Sequence, residues 1–227
     1  MFSCSARPAL LRPMAVLAAA TGLLLLTPLT ASATATPPAA SADSPTAGQS
    51  PALPYVPNAA LLTASDVDAT AIGQGHTIRA ALYHPCGARY AVRTERVAAA
   101  YRRFEDQMDG QPIEGRYIAD DAVRYSSPAN AARAVAQYRQ ATVDCPREVH
   151  GTTSTTYEVL QKAPLIVREL SVDSAFPSAP PAPLYWMFPR VGDLVSTVEA
   201  GHSEGDIGLA EARSFAEKAR RHMVSVQ

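Results

Sequence analysis

Cysteine is scarce in this 227-residue chain, which holds only Cys4, Cys86 and Cys145. No C-x-x-C or H-x-x-x-H spacing occurs, so the sequence lacks a self-contained zinc motif. Positive charge is not in excess either: 20 Lys+Arg face 21 Asp+Glu. That balance leaves no electrostatic footprint for nucleic acid or an anionic membrane. Long apolar runs are also missing. The longest, from Met14 to Leu26, falls short of the roughly 20 residues that a membrane span needs.

Catalytic signatures are thin as well. No S-x-x-K pair is present. The stretch "GHSEGDIG" at 201–208 has neither G-x-G-x-x-G spacing nor a G-K-[ST] ending, and it lacks the alternating acids of a calcium loop. It reads as a loop from a strand into a helix. Glu105-Asp106 and Asp120-Asp121 pair two acids, but neighbours on a strand point to opposite faces, so neither pair makes an acid/base couple. The five histidines are scattered. No enzymatic activity and no cofactor are expected.

What the chain does have begins at its N-terminus. Arg7 and Arg12 precede the short apolar run, and the small residues "TASATA" follow Pro28 and Leu29. A positive region, an apolar region and an A-x-A site make residues 1–33 a secretory signal peptide, cleaved after Ala33 or Ala35. Cys4 leaves with it, and so do two arginines and no acid, which moves the net charge from −1 to about −3. Residues 34–57 are rich in Ala, Thr, Pro and Ser and bury too little surface to order, so a disordered linker is expected there. About 170 residues remain, from 58 to 227, enough for one domain with a two-layer core. The expected localisation is secreted and extracellular, with no membrane span after the signal is removed.

In an exported protein an even pair of cysteines usually closes, so Cys86–Cys145 is expected as a disulfide. A nucleophilic Cys145 would need a free thiol and a histidine partner, and His150 lies nearby without any signature around it. Zinc would draw on His84 and Cys86, without enough further ligands at motif spacing.

Along the domain, Thr63 or Ser65 caps a short helix with Asp66 in its first turn, and Gly73-Gln74-Gly75 turns the chain. Val97, Tyr101, Phe104 and Met108 recur at helical spacing, yet Asp109-Gly110 is a hairpin signal before the strand-like "RYIADDAVRY". Ser127 and Pro128 open a helix whose packed face is Ala131, Val135, Tyr138 and Thr142 and whose wet face includes Arg133, Gln137, Gln140 and Asp144. Pro146 stops it. Strand-like runs follow at 155–161, 165–172, "LYWMF" and "DLVSTVEA", with a Pro-rich surface loop at 177–183. A last helix, about 208–224, buries Leu209, Ala212, Phe215, Ala219 and Met223. The basic cluster in its last turns complements the negative end of the helix dipole.

The order of these features is similar to a known family. From "LLTASDV" through "HPC" to "VRYSSPANAARAVAQYRQATVDCP", then "PRVGDLVSTVEA" and "AEARSFAEKARRHM", it resembles the PknH-like extracellular sensor domain of actinobacteria. The resemblance covers about residues 59–224. It implies an α+β fold, a single antiparallel β-sheet with helices packed on it, and a strand at 99–108 in place of the helix that periodicity favours. It also implies a groove that accepts a ligand. Cys86 and Cys145 match one of the two disulfides of the kinase-linked member, so this chain has one disulfide where that member has two.

Two functions follow as expectations. One is a sensor-like module binding a small extracellular or cell-envelope ligand in the groove. The other is an interaction protein docking on another exported protein or the cell wall. For the groove, the candidate residues are Arg168, Tyr185 and Trp186, which stand among apolar neighbours on two strands. The plainer alternative makes Trp186 core and Arg168 a solvated strand residue. If the signal is processed as expected, N-terminal sequencing of the exported protein reads from Thr34 or Thr36, and a start at Met1 refutes it.

Overall fold

The structure, a computed structural model, describes residues 55–76, 83–108, 111–176, 181, 183–202, 205 and 207–227. The expected signal peptide, nearly all of the linker, the Asp109-Gly110 turn and most of the Pro-rich loop lie outside these residues. The described residues fall in one compact unit, Gln49–Gln227.

A 3-10 turn at Asn58–Ala60 leads into the short helix α1 (Ala64–Val67). Of the two cap candidates it is Thr63 that serves: its N–H donates to the Asp66 carboxylate at 2.8 Å, an acid reaching back to close the first turn. Val56, which composition placed in the linker, is fully buried with Ala60, Leu61 and Met223. The ordered domain therefore starts earlier than composition indicates, because one branched apolar side chain is enough to dock the segment.

Next comes β1 (Thr70–His76), where a glycine turn was expected. Gly73 and Gly75 instead sit in an edge strand. At Gly75 a Cβ would come 2.8 Å from the Tyr101 ring, so close approach to the neighbouring strand explains the glycine. Two 3-10 turns, Pro85–Gly87 and Ala91–Glu95, precede β2 (Arg96–Met108) and β3 (Gln111–Tyr125). Helical periodicity fails here and the family resemblance is right. Phe104 is buried toward one face of the sheet while Tyr101 and Arg103 project to the other, and the long ladder with β3 overrides the local pattern.

Helix α2 (Pro128–Asp144) begins as expected, with Ser127 Oγ accepting the Asn130 N–H at 3.2 Å and Pro128 in the first position. Its buried face is Ala131, Ala134, Tyr138 and Thr142, with Val135 only partly buried. The chain continues through β4 (Arg147–His150), β5 (Thr153–Lys162), β6 (Leu165–Asp173), β7 (Pro183–Phe188), β8 (Arg190–Val191) and β9 (Leu194–His202). It closes with α3 (Gly208–Val224), which buries Ala212, Phe215, Ala216, Ala219 and Met223.

The strands form one antiparallel sheet in the order β1-β2-β3-β9-β7-β6-β5-β4, with β8 paired to β9. Each face carries one long helix. On the first, α3 packs Phe215 and its alanines onto Phe104, Ile118, Ile166, Met187, Val198 and Ala200. On the second, α2 packs Ala131, Ala134 and Tyr138 onto Val123, Tyr125, Leu165, Val167, Phe188 and Val195. The alternation of side chains along β3 and β9 makes both faces apolar. No helix among the described residues is long and apolar enough to cross a membrane.

The Cys86–Cys145 disulfide is closed, with Cα atoms 6.0 Å apart. It ties the 3-10 turn at Pro85–Gly87 to the end of α2, where the Cys145 N–H still reaches the Ala141 carbonyl at 2.9 Å. A loop of this length is stabilised by about 4 kcal/mol in the chain-entropy account. Cys145→Ala is expected to lose about 2–5 kcal/mol in denaturant melts. Exported wild-type protein should expose no alkylatable thiol until it is reduced.

Candidate functional site

Polar side chains in the middle of a two-sided sheet are costly, so their positions point to the site. On the face that carries α2, four strands place such groups in register. Arg103 on β2 lies opposite Ala119, which lies opposite Glu199 on β9, which lies opposite Trp186 on β7. One step along β3, Asp121 accepts two hydrogen bonds from Arg103 Nη2, at 2.9 and 3.1 Å. One step along β6, the Glu169 carboxylate accepts the Trp186 Nε1–H at 2.7 Å. The Arg103 guanidinium also sits over the Tyr101 ring, 5.0 Å from its centroid. Tyr83, itself buried, leans on Trp186 at 5.3 Å and on Phe188 at 5.5 Å and borders this polar row on the α2 side.

Two carboxyl groups, Asp121 and Glu199, thus feel the Arg103 guanidinium, and Glu169 lies beyond them, held by Trp186. Burial pushes Asp121 up to about 6, against the pull of Arg103. Burial pushes Glu199 up to about 7, reinforced by Glu169 and Asp121 and again opposed by Arg103. Glu169 is raised too, first by burial, with the Trp186 hydrogen bond working against it. The surface therefore changes charge close to neutral pH.

The acidic pairs behave as strand alternation requires. Asp121 joins the row through Arg103, whereas its neighbour Asp120 points to the α3 face. There Asp120 is wholly buried and accepts the Leu62 N–H at 2.7 Å and the Ser196 hydroxyl at 2.6 Å. Asp106 takes the backbone N–H of Arg116 at 2.9 Å, and Arg116 also donates to the Val67 and Asp68 carbonyls. These are structural roles.

The residues chosen from the sequence are divided between the faces. Arg168 and Tyr185 pair across β6 and β7 on the α3 face, where Tyr185 is 3% exposed in the core and Arg168 holds Glu158 at 2.6 Å. Trp186 alone lies in the row, because adjacent residues on a strand face opposite ways. Arg103, Asp121, Glu169 and Glu199 were missed. Their signal was a charge interrupting an apolar strand, and the helical reading of 97–108 concealed Arg103. Sequence reading also passed over the G-x-S-x-G spacing of Gly201-His202-Ser203-Glu204-Gly205. Ser203 lies outside the described residues; the chain does pass from β9 into α3 there, but β9 pairs antiparallel with both β3 and β7, unlike the strand that carries the nucleophile elbow in an α/β-hydrolase sheet.

No protein-family model and no curated protein match the chain. Its fold is similar to the crystal structure of the extracellular domain of PknH from Mycobacterium tuberculosis. The TM-score is 0.56 at 14% identity, over 74% of this chain and 94% of that one. This likeness is one of fold.

Folded Glu199 keeps its proton to a higher pH than the unfolded chain does, so raising the pH from about 4.5 through 7 withdraws stability. Glu199→Gln is expected to exceed wild type by on the order of 1 kcal/mol at pH 8 and to match it near pH 4. Urea melts at both pH values check this.

Proposed function

We propose that this chain is a secreted, non-catalytic, sensor-like domain that binds a small extracellular or cell-envelope ligand. The ligand seat is the row Arg103–Glu199–Trp186 on the sheet face that carries α2. The observation that carries the reading is this row of half-buried charged and aromatic side chains, set across four strands on the face that carries α2. Perturbed carboxyl groups held at such a cost gather at binding sites more often than in passive scaffolds. The likeness to an extracellular domain supports export, as does a disulfide that an oxidising compartment would keep closed. Of the residues chosen from sequence, Trp186 belongs to this seat.

A second reading, docking on another exported protein or the cell wall, draws on a different surface. Val149 and Val172 are exposed and line an open groove of about 530 Å³ with Leu170 at the β4–β6 end of the sheet. Phe176, just beyond β6, is exposed as well.

The sole tryptophan makes the first reading testable. A thermal-shift screen against fractionated envelope extracts finds compounds that bind the native state. A compound that raises the melting temperature should also shift or quench Trp186 emission, and Glu199→Gln should weaken that response. A ligand verified by calorimetry that leaves the emission unchanged places binding elsewhere.

A further inference from the structure

The corner around the disulfide has more donors than a structural staple requires. Strand β4 follows Cys145 directly, and its Glu148 and His150, two residues apart, project to the same side. Glu148 is drawn into the corner from three directions. One carboxylate oxygen accepts the Cys86 N–H at 2.8 Å and lies 3.3 Å from His150 Nε2, while the other accepts the Tyr157 hydroxyl. The Cys86 sulfur, the Cys145 sulfur and a Glu148 oxygen all fall within 4.8 Å of one another. Both sulfurs lie within 3.8 Å of the Arg147 carbonyl.

The geometry points to a latent metal site: once the Cys86–Cys145 disulfide is reduced, its two thiolates, Glu148 and His150 bind a borderline-soft divalent cation such as zinc. In a tetrahedral zinc site with bonds of about 2.0–2.3 Å, neighbouring donor atoms stand roughly 3.3–3.8 Å apart. The carboxylate–imidazole separation already has that value, and the sulfurs reach it by parting once their bond is broken. His150 lies outside that 4.8 Å cluster, and its side chain, 79% exposed, completes the set by turning toward the ion. The Tyr157 hydroxyl fixes the carboxylate from behind, the kind of support that metal-binding carboxylates normally carry. Motif spacing conceals this set. Two of its members come from a four-residue strand, and the third is 59 residues from Cys145.

Reduction proceeds by thiol–disulfide exchange with a dithiol reductant. A reductant thiolate attacks the exposed Cys86 sulfur, and Cys145 departs as its thiolate. The second reductant thiol then attacks its partner sulfur and releases Cys86. Two electrons and two protons pass to the protein, and the reductant leaves as a disulfide. The cation binds with displacement of the two thiol protons. A coordinate link then replaces the covalent one between the Pro85–Gly87 turn and the end of α2.

The test uses the exported full-length chain, reduced with a phosphine that is then removed. Titration with cobalt(II) should show one equivalent bound, with thiolate-to-cobalt charge transfer and the strong visible bands of tetrahedral coordination. Unreduced protein should show neither. Zinc should displace the cobalt and raise the melting temperature of the reduced chain. Glu148→Gln, with both thiols still titratable and an unchanged circular dichroism spectrum, should weaken cobalt at least about tenfold, no less than losing an outer supporting partner does. Absence of the charge-transfer band in reduced wild-type protein overturns the proposal. So does wild-type affinity in Glu148→Gln, which would reduce the site to two cysteines chelating a surface ion.

Discussion

The fold depends on the pairing of β3 with β9, which runs from Arg116↔His202 to Arg124↔Leu194. One ribbon, β1-β2-β3, is complete before α2, and another, β4-β5-β6-β7, follows it. Strand β9, arriving late, joins them by lying between β3 and β7. Without that insertion each ribbon would have an open edge and half a core. Asp120 reinforces the seam from within: its carboxylate takes the Ser196 hydroxyl of β9 and the backbone N–H of Leu62. A buried acid held by two donors is worth more as a specifier of register than as a source of stability, since its own desolvation opposes the gain.

The same seam positions the polar row. Arg103 comes from the first ribbon, Trp186 and Glu169 from the second, and Glu199 from the joining strand. None of these side chains is near another in sequence, and the site exists only once all three parts are assembled. The charged residues of the row therefore report on completed folding.

The legible parts of the sequence were those governed by local chemistry. Ser127-Pro128 and the stripes on α2 and α3 were readable because capping and 3.6-residue periodicity act within a few turns. The disulfide was readable from cysteine arithmetic. Strand β2 was not readable from its own residues, because Val97, Tyr101, Phe104 and Met108 mimic a helical stripe while a partner 15 residues long determines the outcome. Strand β1 was hidden by its glycines, which mark a close approach and not a turn. Tyr185 and Trp186 were grouped because they are neighbours in sequence. On a strand, that same adjacency divides them between two cores.

The two outermost strands give the sheet a further property. An open sheet ends in unpaired N–H and C=O groups, which attract strands of other molecules and seed aggregation. Strand β4 offers only four residues of edge, three of them ionisable: Arg147, Glu148 and His150. Strand β1, at the other end, breaks its register between Ala71 and Gly73, and such an irregularity twists the backbone away from a flat template. Both borders of the ladder are thus poor places for a foreign strand to add. The brevity of one border and the kink of the other help to keep a nine-stranded sheet from growing.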